Sequence, residues 1–367
     1  MKFSTQADKI KQSLSHAQIM TTKQSSLEVL QGVYIKIGSE GGVIRATNLH
    51  IGIEARFPAQ VESEGVCVCD PSLLLGVIGA IPGGQTISFE VEETTLSVTT
   101  NTSTSTIKLL NPDDFPSLPR LDSDATLSVR SVDFIQALQS VVYAASSSDI
   151  KPQISSVFMY TNPQQELVCV STDSFRLAEK SIPTISEASL EGVMVPVKNA
   201  QVLMRVLGDK DEVVGIRFSE SQMTFTTPSY YCVTRLVDGQ YPAYQSILPK
   251  EYNTQVTLLK SDLLNTLKTL NVFADKFYQV DIIVDEKKNT LTLSSHHPER
   301  GNHTAELACV IEGETLEMRC NAKYLQDGLS GVSTESLVLK FTSGTKPFIV
   351  APVGEKDFQY LVMPLNR

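Results

Sequence analysis

The chain has 367 residues, of which 41% are hydrophobic and 20% are charged, and its formal net charge at pH 7 is −10. This length and composition predict a soluble globular protein of two or three domains. The acidic balance argues against a protein that grips nucleic acid tightly through a large basic face, and no apolar run is long enough for a transmembrane helix. Residues 1–8 carry an early acid and no apolar segment, so we predict no signal peptide.

The first third of the chain contains two predicted helices. Asp8 precedes apolar residues at helical spacing, and an acid in the first turn is favoured by the helix dipole. Asp70-Pro71 is a second start signal, because aspartate caps a helix and proline suits its first position. Segments rich in Thr and Val predict strands at 86–90 and 95–99, and a proline-rich stretch covers 111–119.

The same order of elements recurs in the second third. Asp133 opens a predicted helix, and a second one follows Lys198-Asn199 and stops at Gly208. Between them, the apolar run 167–170 leads into Thr172-Asp173-Ser174, a polar turn followed by Arg176. A strand is predicted at 213–218, and residues 238–249 form a second proline-containing boundary.

The last third repeats the pattern once more. Asp262 opens a predicted helix, Asn321 opens another that stops at Gly331, and a strand is predicted at 337–341. The chain then ends in the apolar segment 361–365. Chain ends are usually polar, so this tail either completes a sheet as an edge strand or forms part of a groove, and both can hold together.

A long internal repeat therefore organises the chain. Thr47, Thr172 and Ser295 occupy corresponding places, 125 and 123 residues apart. We predict an α+β fold of three similar domains, each with two helices and about eight antiparallel strands, at 1–121, 122–246 and 247–367. Equal rotation between such units produces an arc, and two arcs can close a ring by head-to-tail contact.

Six cysteines lie singly in apolar surroundings. Cys67 and Cys69 have the spacing of one strand face, which differs from the C-x-x-C of zinc and redox sites. We predict reduced, buried thiols in a cytosolic protein. The set comprises Cys67, Cys69, Cys169, Cys232, Cys309 and Cys320.

Several separate motifs resemble those of one family, the beta subunit of bacterial DNA polymerase III, the replicative sliding clamp. The resemblance spans the whole chain and is specific because the motifs occur in order. They are Met1-Lys2-Phe3, Asp114-Phe115-Pro116, Thr172-Asp173-x-x-Arg176-Leu177-Ala178, Leu236-Val237-Asp238-Gly239-x-Tyr241-Pro242-x-Tyr244 with Leu248-Pro249-Lys250, and Val362-Met363-Pro364-Leu365.

The resemblance implies three DNA-clamp domains that form a half ring, closed as a head-to-tail homodimer around double-stranded DNA without sequence preference. It implies a non-catalytic role: a processivity factor without cofactors that tethers the polymerase to its template. The implied partners are the polymerase α subunit, the δ subunit of the ATP-driven loader, other polymerases, and mismatch-repair or ligase proteins. The implied location is the bacterial cytoplasm, at the nucleoid and replisome, with no membrane association.

The family binds short linear peptides in a pocket between the second and third domains. By position, the peptide pocket here would consist of Ile154, Thr172, Ser174, Phe175, Arg176, Leu177, Pro242, Ile247, Leu361, Val362, Met363, Pro364 and Leu365. Met363 suits such a pocket because methionine adapts to many ligands.

This chain departs from the family pattern at three places. Ser174-Phe175 replaces Gly-His, which we expect to alter the turn and to favour aromatic or apolar anchors in the peptide. Ser246 stands where arginine is often found at the rim. Ser105 stands where an aromatic residue is common at the dimer contact, so we expect a weaker interface.

A clamp that slides should contact DNA weakly, through a few cations that face the hole. The candidates are Lys9, Lys11, Lys23, Lys198, Arg205, Lys260, Lys268 and Lys323. Ordinary solvated helix surface is the alternative for each of them, and the helix at 131–146 has no Lys or Arg. For ring closure, the family positions are Ile107 against Val272 and Phe273, with an internal core position as the alternative for the last two.

Two other functions are alternatives to a sliding clamp. A metal enzyme would have to use His296, His297 and His303, whose spacing is not that of known ligand sets. The sequence also lacks the nucleophile-elbow, phosphate-loop and dinucleotide-binding motifs. A β-rich scaffolding module that does not encircle DNA is the other alternative.

Overall fold

A computed structural model describes residues 1–21, 27–121, 126–208 and 210–365. The chain divides into two compact units. Unit 1 comprises Met1–Val132, Ile185–Ala188 and Lys198–Leu236, and unit 2 comprises Asp133–Thr184, Ser189–Val197 and Val237–Arg367. The central repeat thus contributes to both units.

Helices and strands alternate in three similar series. The α-helices of the described residues are α1 (Ala7–Met20), α2 (Pro71–Gly79), α3 (Ser131–Val141), α4 (Val197–Leu207), α5 (Lys260–Leu270) and α6 (Ala322–Gly328). The strands of the first series are β1 (Lys2–Gln6), β2 (Val33–Gly38), β3 (Gly41–Thr47), β4 (Ile51–Phe57), β5 (Gln60–Ser63), β6 (Gly65–Cys69), β7 (Thr86–Glu92), β8 (Thr95–Thr99) and β9 (Thr104–Leu110).

The second series contains β10 (Leu127–Arg130), β11 (Ser156–Thr161), β12 (Glu166–Thr172), β13 (Arg176–Pro183), β14 (Val193–Pro196), β15 (Val213–Phe218), β16 (Gln222–Thr226) and β17 (Tyr230–Arg235). The third contains β18 (Thr254–Leu259), β19 (Gln279–Asp285), β20 (Thr290–His297), β21 (Gly301–Ala308), β22 (Val310–Glu312), β23 (Leu316–Asn321), β24 (Ser336–Phe341), β25 (Phe348–Pro352) and β26 (Phe358–Val362). Short 3₁₀ turns follow α3, α5 and α6, and the predicted α+β class is confirmed.

The capping residues found in the sequence lie at the observed starts of helices α2 and α6. The Asp70 carboxylate accepts hydrogen bonds from the backbone N–H groups of Ser72 and Leu73, as expected of a cap before α2. The Asn321 side chain accepts one from Tyr324 N at the start of α6. Helix α1 begins at Ala7, next to the predicted Asp8.

Unit 1 is built on one antiparallel sheet of thirteen strands, in the order β10-β15-β16-β17-β4-β3-β2-β6-β9-β8-β7-β1-β5. Helix α1 lies against β3 and β4 and also contacts α2. The apolar stripe of α1 (Ile10, Leu14 and Ala17) is fully buried, so this stripe joins the helix to the core.

Unit 2 contains a nine-stranded sheet, β14-β11-β12-β13-β26-β25-β24-β18-β22, and a four-stranded sheet, β21-β20-β19-β23. Helices α5 and α6 contact each other. Their buried residues include Leu263, Leu267 and Leu325, at the helical spacing that the sequence showed.

Strand pairing joins consecutive repeats. In unit 1, β17 of the second series pairs with β4 of the first over five residue pairs. In unit 2, β26 of the third series pairs with β13 of the second over five residue pairs. The interpretation of the C-terminal segment as an edge strand is therefore wrong, because β26 lies between β13 and β25.

The cysteines are free thiols, and five of the six are buried as predicted. Cys309 is the exception, since it is only partly buried. Burial raises the pKa of Cys67 and of Cys232 to about 12, so both are neutral thiols at pH 7. Among the described residues, no helix has the length and apolarity needed to span a membrane.

Candidate functional site

The polar turn between β12 and β13 is a tightly hydrogen-bonded loop. The Thr172 hydroxyl donates to the Arg176 carbonyl (2.6 Å) and accepts from Ser174 N (3.1 Å). The Asp173 carboxylate accepts from the backbone N–H groups of Phe175 (2.9 Å) and Arg176 (3.0 Å). Two short polar side chains thus satisfy the backbone of the turn, which is the reason for Thr-Asp at this position.

Ser174 lies at φ +78°, in the left-handed region that glycine adopts readily. The bonds of Thr172 and Asp173 hold the serine in this conformation. That the serine alters the turn made by glycine in the family stays a prediction. The adjacent Phe175 projects outward and is 60% exposed.

Arg176 is fixed by two carboxylates. Its Nε donates to Asp173 (2.9 Å) and its Nη1 donates to Asp327 of α6 (2.6 Å), while the guanidinium lies 4.4 Å from the centre of the Tyr324 ring. Because the arginine is largely buried and paired twice, its role is to fasten the turn to α6. No sequence motif marks Asp327 or Tyr324 as partners of Arg176, although their spacing places both on one face of a helix.

The C-terminal segment passes directly beside this turn. In β26, Val362 pairs with Arg176 and Leu361 pairs with Leu177. Beyond the strand, Met363 N donates to the Phe175 carbonyl (2.9 Å) and Leu365 N donates to the Arg319 carbonyl (2.8 Å). The tail therefore leaves the sheet at Phe175 and runs to β23.

The second proline-containing boundary packs on the same cluster. Leu177, Leu361 and Tyr244 are buried together, with Tyr241 and Met363 packed against them. Tyr241 stacks on Phe158 of β11, with ring centroids 4.7 Å apart. Aromatic side chains thus fill the space below the surface, whereas the sequence analysis described residues 238–249 only as a proline-containing boundary.

Tyr244 is also bound through its hydroxyl. It donates to the Glu179 carboxylate and lies 2.9 Å from the Tyr160 hydroxyl, while Gln359 Nε2 donates to the same carboxylate (2.6 Å). Burial and the charge of Glu179 raise the pKa of Tyr244, so the phenol remains a neutral donor at physiological pH. This network links the boundary segment to β13 and β26.

The thirteen predicted pocket residues fall into three groups by exposure. Four are buried and lie beneath the surface of the proposed pocket, and we call them its floor: Thr172, Leu177, Leu361 and Val362. Four are exposed: Ser174, Phe175, Pro242 and Ile247. The remaining five are half-buried: Ile154, Arg176, Met363, Pro364 and Leu365.

Contacts connect most of these residues but not all of them. One apolar cluster contains Leu177, which follows the turn, together with residues of the C-terminal segment and of the boundary segment. Ile247 N donates to Tyr244 O beside this cluster (3.0 Å). Ile154 instead lies in the segment before β11, where its backbone bonds to Ser146 and Lys151. Ser246, at the expected rim, is exposed and donates to the Ala243 carbonyl (2.8 Å).

Most of the predicted DNA-facing cations are exposed. These are Lys9, Lys11, Lys198, Arg205, Lys268 and Lys323. Lys260 differs, because it is half-buried and its ammonium donates to the Val332 carbonyl (2.6 Å), and its role towards DNA stays a prediction. Lys23 lies outside the described residues.

The predicted ring-closure residues differ in exposure. Val272 is 60% exposed, so the core alternative is wrong for this residue. Phe273 is half-buried and stacks on His303, with centroids 5.9 Å apart. Ile107 is only 5% exposed and belongs to the core of unit 1, so its exposed neighbours on β9 would have to make any contact.

The three histidines of the metal hypothesis lie on the hairpin β20–β21. Ser295 pairs with His303, and His296 pairs with Asn302. Over the described ranges, no group of three or more His, Cys, Asp or Glu side chains has an arrangement that could hold a metal ion.

Comparison with known proteins gives a consistent result across the chain. Sequence profiles of the DNA polymerase III beta subunit match in order: the N-terminal domain at residues 1–119, the central domain at 128–243 and the C-terminal domain at 245–366. The chain is 26% identical over 373 residues to the beta sliding clamp of Synechococcus elongatus, covering 100% of this chain and 99% of that protein. The beta sliding clamp of Staphylococcus epidermidis is 24% identical over 379 residues, with the same coverage.

Solved structures share the fold. The DNA polymerase sliding clamp of Bacillus subtilis superposes with a TM-score of 0.94 at 23% identity, covering 100% of this chain and 99% of that one. A sliding clamp of Pseudomonas aeruginosa bound to griselimycin has a TM-score of 0.95 at 22% identity, with both chains fully covered. At these identities the likeness concerns the fold.

Proposed function

The chain belongs to the DNA polymerase III beta subunit family of sliding clamps, and from this premise we propose that it encircles duplex DNA and tethers the replicative polymerase to its template. The working form is a head-to-tail homodimer closed into a ring. The clamp performs no chemistry of its own and acts in the bacterial cytoplasm. Its domains are 1–121, 122–246 and 247–367.

We propose further that the peptide pocket recruits its partners. The observation that carries this proposal is the tail that leaves the sheet at Phe175, because it places an adaptable methionine beside an exposed aromatic ring. Ile247 adds a third apolar side chain at the surface. Exposed apolar groups over a fully packed floor fit anchor side chains of a short linear peptide.

The partners are those of the family: the polymerase α subunit, the loader δ subunit, and other polymerases and repair or ligase proteins with short apolar motifs. Phe175 replaces the polar tip of histidine by apolar area. We therefore expect peptides with an aromatic or aliphatic residue facing it to bind best.

The contact with DNA is weak and electrostatic. The exposed cations Lys9, Lys11, Lys198, Arg205, Lys268 and Lys323 support it, within a chain whose net charge is −10. Such contacts release counterions, so binding to DNA should weaken steeply as salt is raised. Retention by a closed ring, by contrast, is topological and should persist in salt.

This difference supplies the test of encirclement. The protein is loaded by its cognate loader onto a nicked circular plasmid and passed over a gel-filtration column in high salt. A clamp stays with the circle and is lost when the plasmid is cut once, because a ring slides off the ends. Loss from circular DNA in high salt would contradict encirclement and favour the scaffolding alternative.

The pocket is tested separately with a fluorescent peptide taken from the C-terminal tail of the polymerase α subunit. Val362 is buried and paired with Arg176, so truncation should begin after it and remove residues 363–367. Binding should fall at least about tenfold, which corresponds to about 1.4 kcal/mol. Unchanged affinity would exclude the tail from the pocket.

A further inference from the structure

The first repeat contains a turn with the same bonds as the turn at Thr172. The Thr47 hydroxyl donates to the Ile51 carbonyl (2.9 Å) and accepts from Leu49 N (3.0 Å). The Asn48 side chain accepts from the backbone N–H groups of His50 (3.0 Å) and Ile51 (2.9 Å). Leu49 has φ +69°, where Ser174 has +78°, so the two turns correspond residue by residue.

The strand beside this turn also corresponds. Ile51 pairs with Thr234 as Arg176 pairs with Val362. Arg235 N donates to the His50 carbonyl (2.9 Å), just as Met363 N donates to the Phe175 carbonyl (2.9 Å). Arg235 therefore takes the place of Met363, and His50 takes the place of Phe175.

The proline-rich boundary segment 111–119 packs beside this turn, as the second boundary segment packs beside the turn at Thr172. Phe115 packs on Tyr34, with centroids 5.2 Å apart, much as Tyr241 packs on Phe158. The residues that follow it, 116–119, line a groove of about 150 Å³ with the turn and β17. We call this the first-repeat groove, defined by Leu49, His50, Pro116, Leu118, Gln222 and Arg235.

The charge of the first-repeat groove differs from that of the whole chain. Its lining contains Arg235 and His50 but no aspartate or glutamate, although the net charge is −10. The Arg235 side chain is exposed, and within the described ranges it has no ion-pair partner. Leu49 is an exposed apolar side chain beside it.

The His50 end of the groove is held rigidly. Asn199 of α4 is buried, and its side-chain amide donates to the His50 carbonyl (3.4 Å) and to the Thr234 hydroxyl (2.9 Å). The carbonyl thus has two donors, Asn199 and Arg235, which fix the turn against β17. A fixed turn lowers the conformational cost of binding a ligand.

We propose that the first-repeat groove is a second peptide site, which binds a short extended segment carrying a carboxylate next to an apolar residue. The carboxylate pairs with Arg235, and the apolar residue packs between Leu49 and Leu118. The class of ligand rests on the proposed peptide pocket, whereas the site and its charge preference rest on unit 1 alone. The two sites of one chain then select different peptides, because Met363 and Phe175 are apolar where Arg235 and His50 are cationic or polar.

The test uses the full chain with Met363→Asp, which places a repelling carboxylate in the peptide pocket. The probe is a fluorescein-labelled hexapeptide that contains two aspartates followed by leucine and phenylalanine, and the matched probe contains asparagines instead. We expect saturable binding of the acidic probe, at least about tenfold tighter than the asparagine probe. Adding Arg235→Glu should remove that preference.

The control is Arg56→Glu, an exposed arginine on the same strand as Ile51, which should leave binding unchanged. Protection of residues 47–52 from hydrogen exchange by the acidic probe would support the location. Absence of saturable binding in the Met363→Asp chain, or equal loss in both arginine variants, would overturn the proposal. Loss of polymerase-peptide binding alone would bear on the peptide pocket and not on this groove.

Discussion

At the residue scale, Arg176 and Glu54 are two largely buried charges that each have two partners of opposite charge. Arg176 has two carboxylate partners, Asp173 and Asp327. Glu54 has the reverse arrangement, with Arg45 Nε at 2.8 Å and Arg120 Nη2 at 2.6 Å. Each of these two charges is therefore compensated twice, which limits its desolvation cost, but loss of the central residue would leave two unpaired charges and destabilise the fold.

Phe175 is the exposed aromatic residue of the proposed peptide pocket. Phe175→Ser removes exposed apolar area from the peptide pocket and should weaken the polymerase-tail peptide by about 1–2 kcal/mol. Fluorescence anisotropy measures the change. The matched control is Phe277→Ser in the same unit, since Phe277 is 59% exposed and Phe175 is 60% exposed. Equal effects of the two substitutions would contradict a specific role.

Glu54 supplies a pH-dependent prediction. Burial alone would raise the pKa of Glu54, but the hydrogen bonds and charges of Arg120 and Arg45 outweigh it and hold the pKa below its ordinary value. The folded state therefore favours the carboxylate, and this stabilisation is fully present above the unfolded pKa and lost as the pH falls through the folded pKa.

Glu54→Gln should accordingly lower the free energy of unfolding by about 2 kcal/mol at pH 7, because two arginines lose their counter-charge. Urea unfolding at pH 7, 5 and 3 should show the difference shrinking only at the lowest pH. Glu62→Gln is the control, since that carboxylate is exposed and pairs at the surface with Lys2. A difference between Glu54→Gln and wild type that is independent of pH would argue against the ionised form as its source.

At the scale of elements, the two described helices that contain glycine, α2 and α6, differ in how much space surrounds it. A Cβ on Gly328 of α6 would lie 2.2 Å from the ring of Tyr360, which is fully buried. A Cβ on Gly76 of α2 would meet nothing within 4 Å. Glycine therefore allows close packing against Tyr360 in α6. In α2 it serves no packing role and only lowers the stability of the helix.

Gly328→Ala should destabilise the protein by about 2–3 kcal/mol, because a rigid aromatic ring must move. Gly76→Ala should stabilise it by up to about 1 kcal/mol through helix propensity alone. Thermal and urea unfolding of the two variants measures both effects. Stabilisation by Gly328→Ala would show that the ring of Tyr360 yields readily.

Elements were predictable where their signals are local. Asp70 and Asn321 cap their helices through bonds to residues two or three positions on, so the sequence contains the whole signal. The left-handed backbone of Ser174 was not predictable from serine itself, because the side chains of Thr172 and Asp173 hold the turn through hydrogen bonds. The partner of Arg176, Asp327, lies 151 residues away, and nothing local marks that pair.

For the molecule as a whole, the sequence predicted the internal repeat and the family, but it did not predict the order of the strands within the sheets. The pairing of β4 with β17 joins segments that are far apart in the chain, and strand propensity does not specify a distant partner. Because β17 pairs with β4, part of the second repeat belongs to unit 1, and the rest of that repeat belongs to unit 2. Domain boundaries at 121 and 246 stay a prediction.

The proposed ring depends on contact between two chains, and Val272 is the residue to change. Val272→Asp places a charge in the proposed interface and should convert a dimer into a monomer near 40.2 kDa. Light scattering after size exclusion measures the mass. Val310→Asp is the control, because Val310 is 62% exposed and Val272 is 60% exposed. A monomeric wild type would contradict the ring, and a dimeric Val272→Asp would exclude this contact.

The strands that pair across consecutive repeats also determine how strongly the chain resists a pulling force. Five residue pairs join β17 to β4, and five join β26 to β13, so pulling the repeats apart must break a ladder of backbone hydrogen bonds together. Consecutive repeats of one chain should therefore separate only when all five pairs of a ladder break together, so the repeats should resist stretching as one mechanical element rather than as three beads on a string.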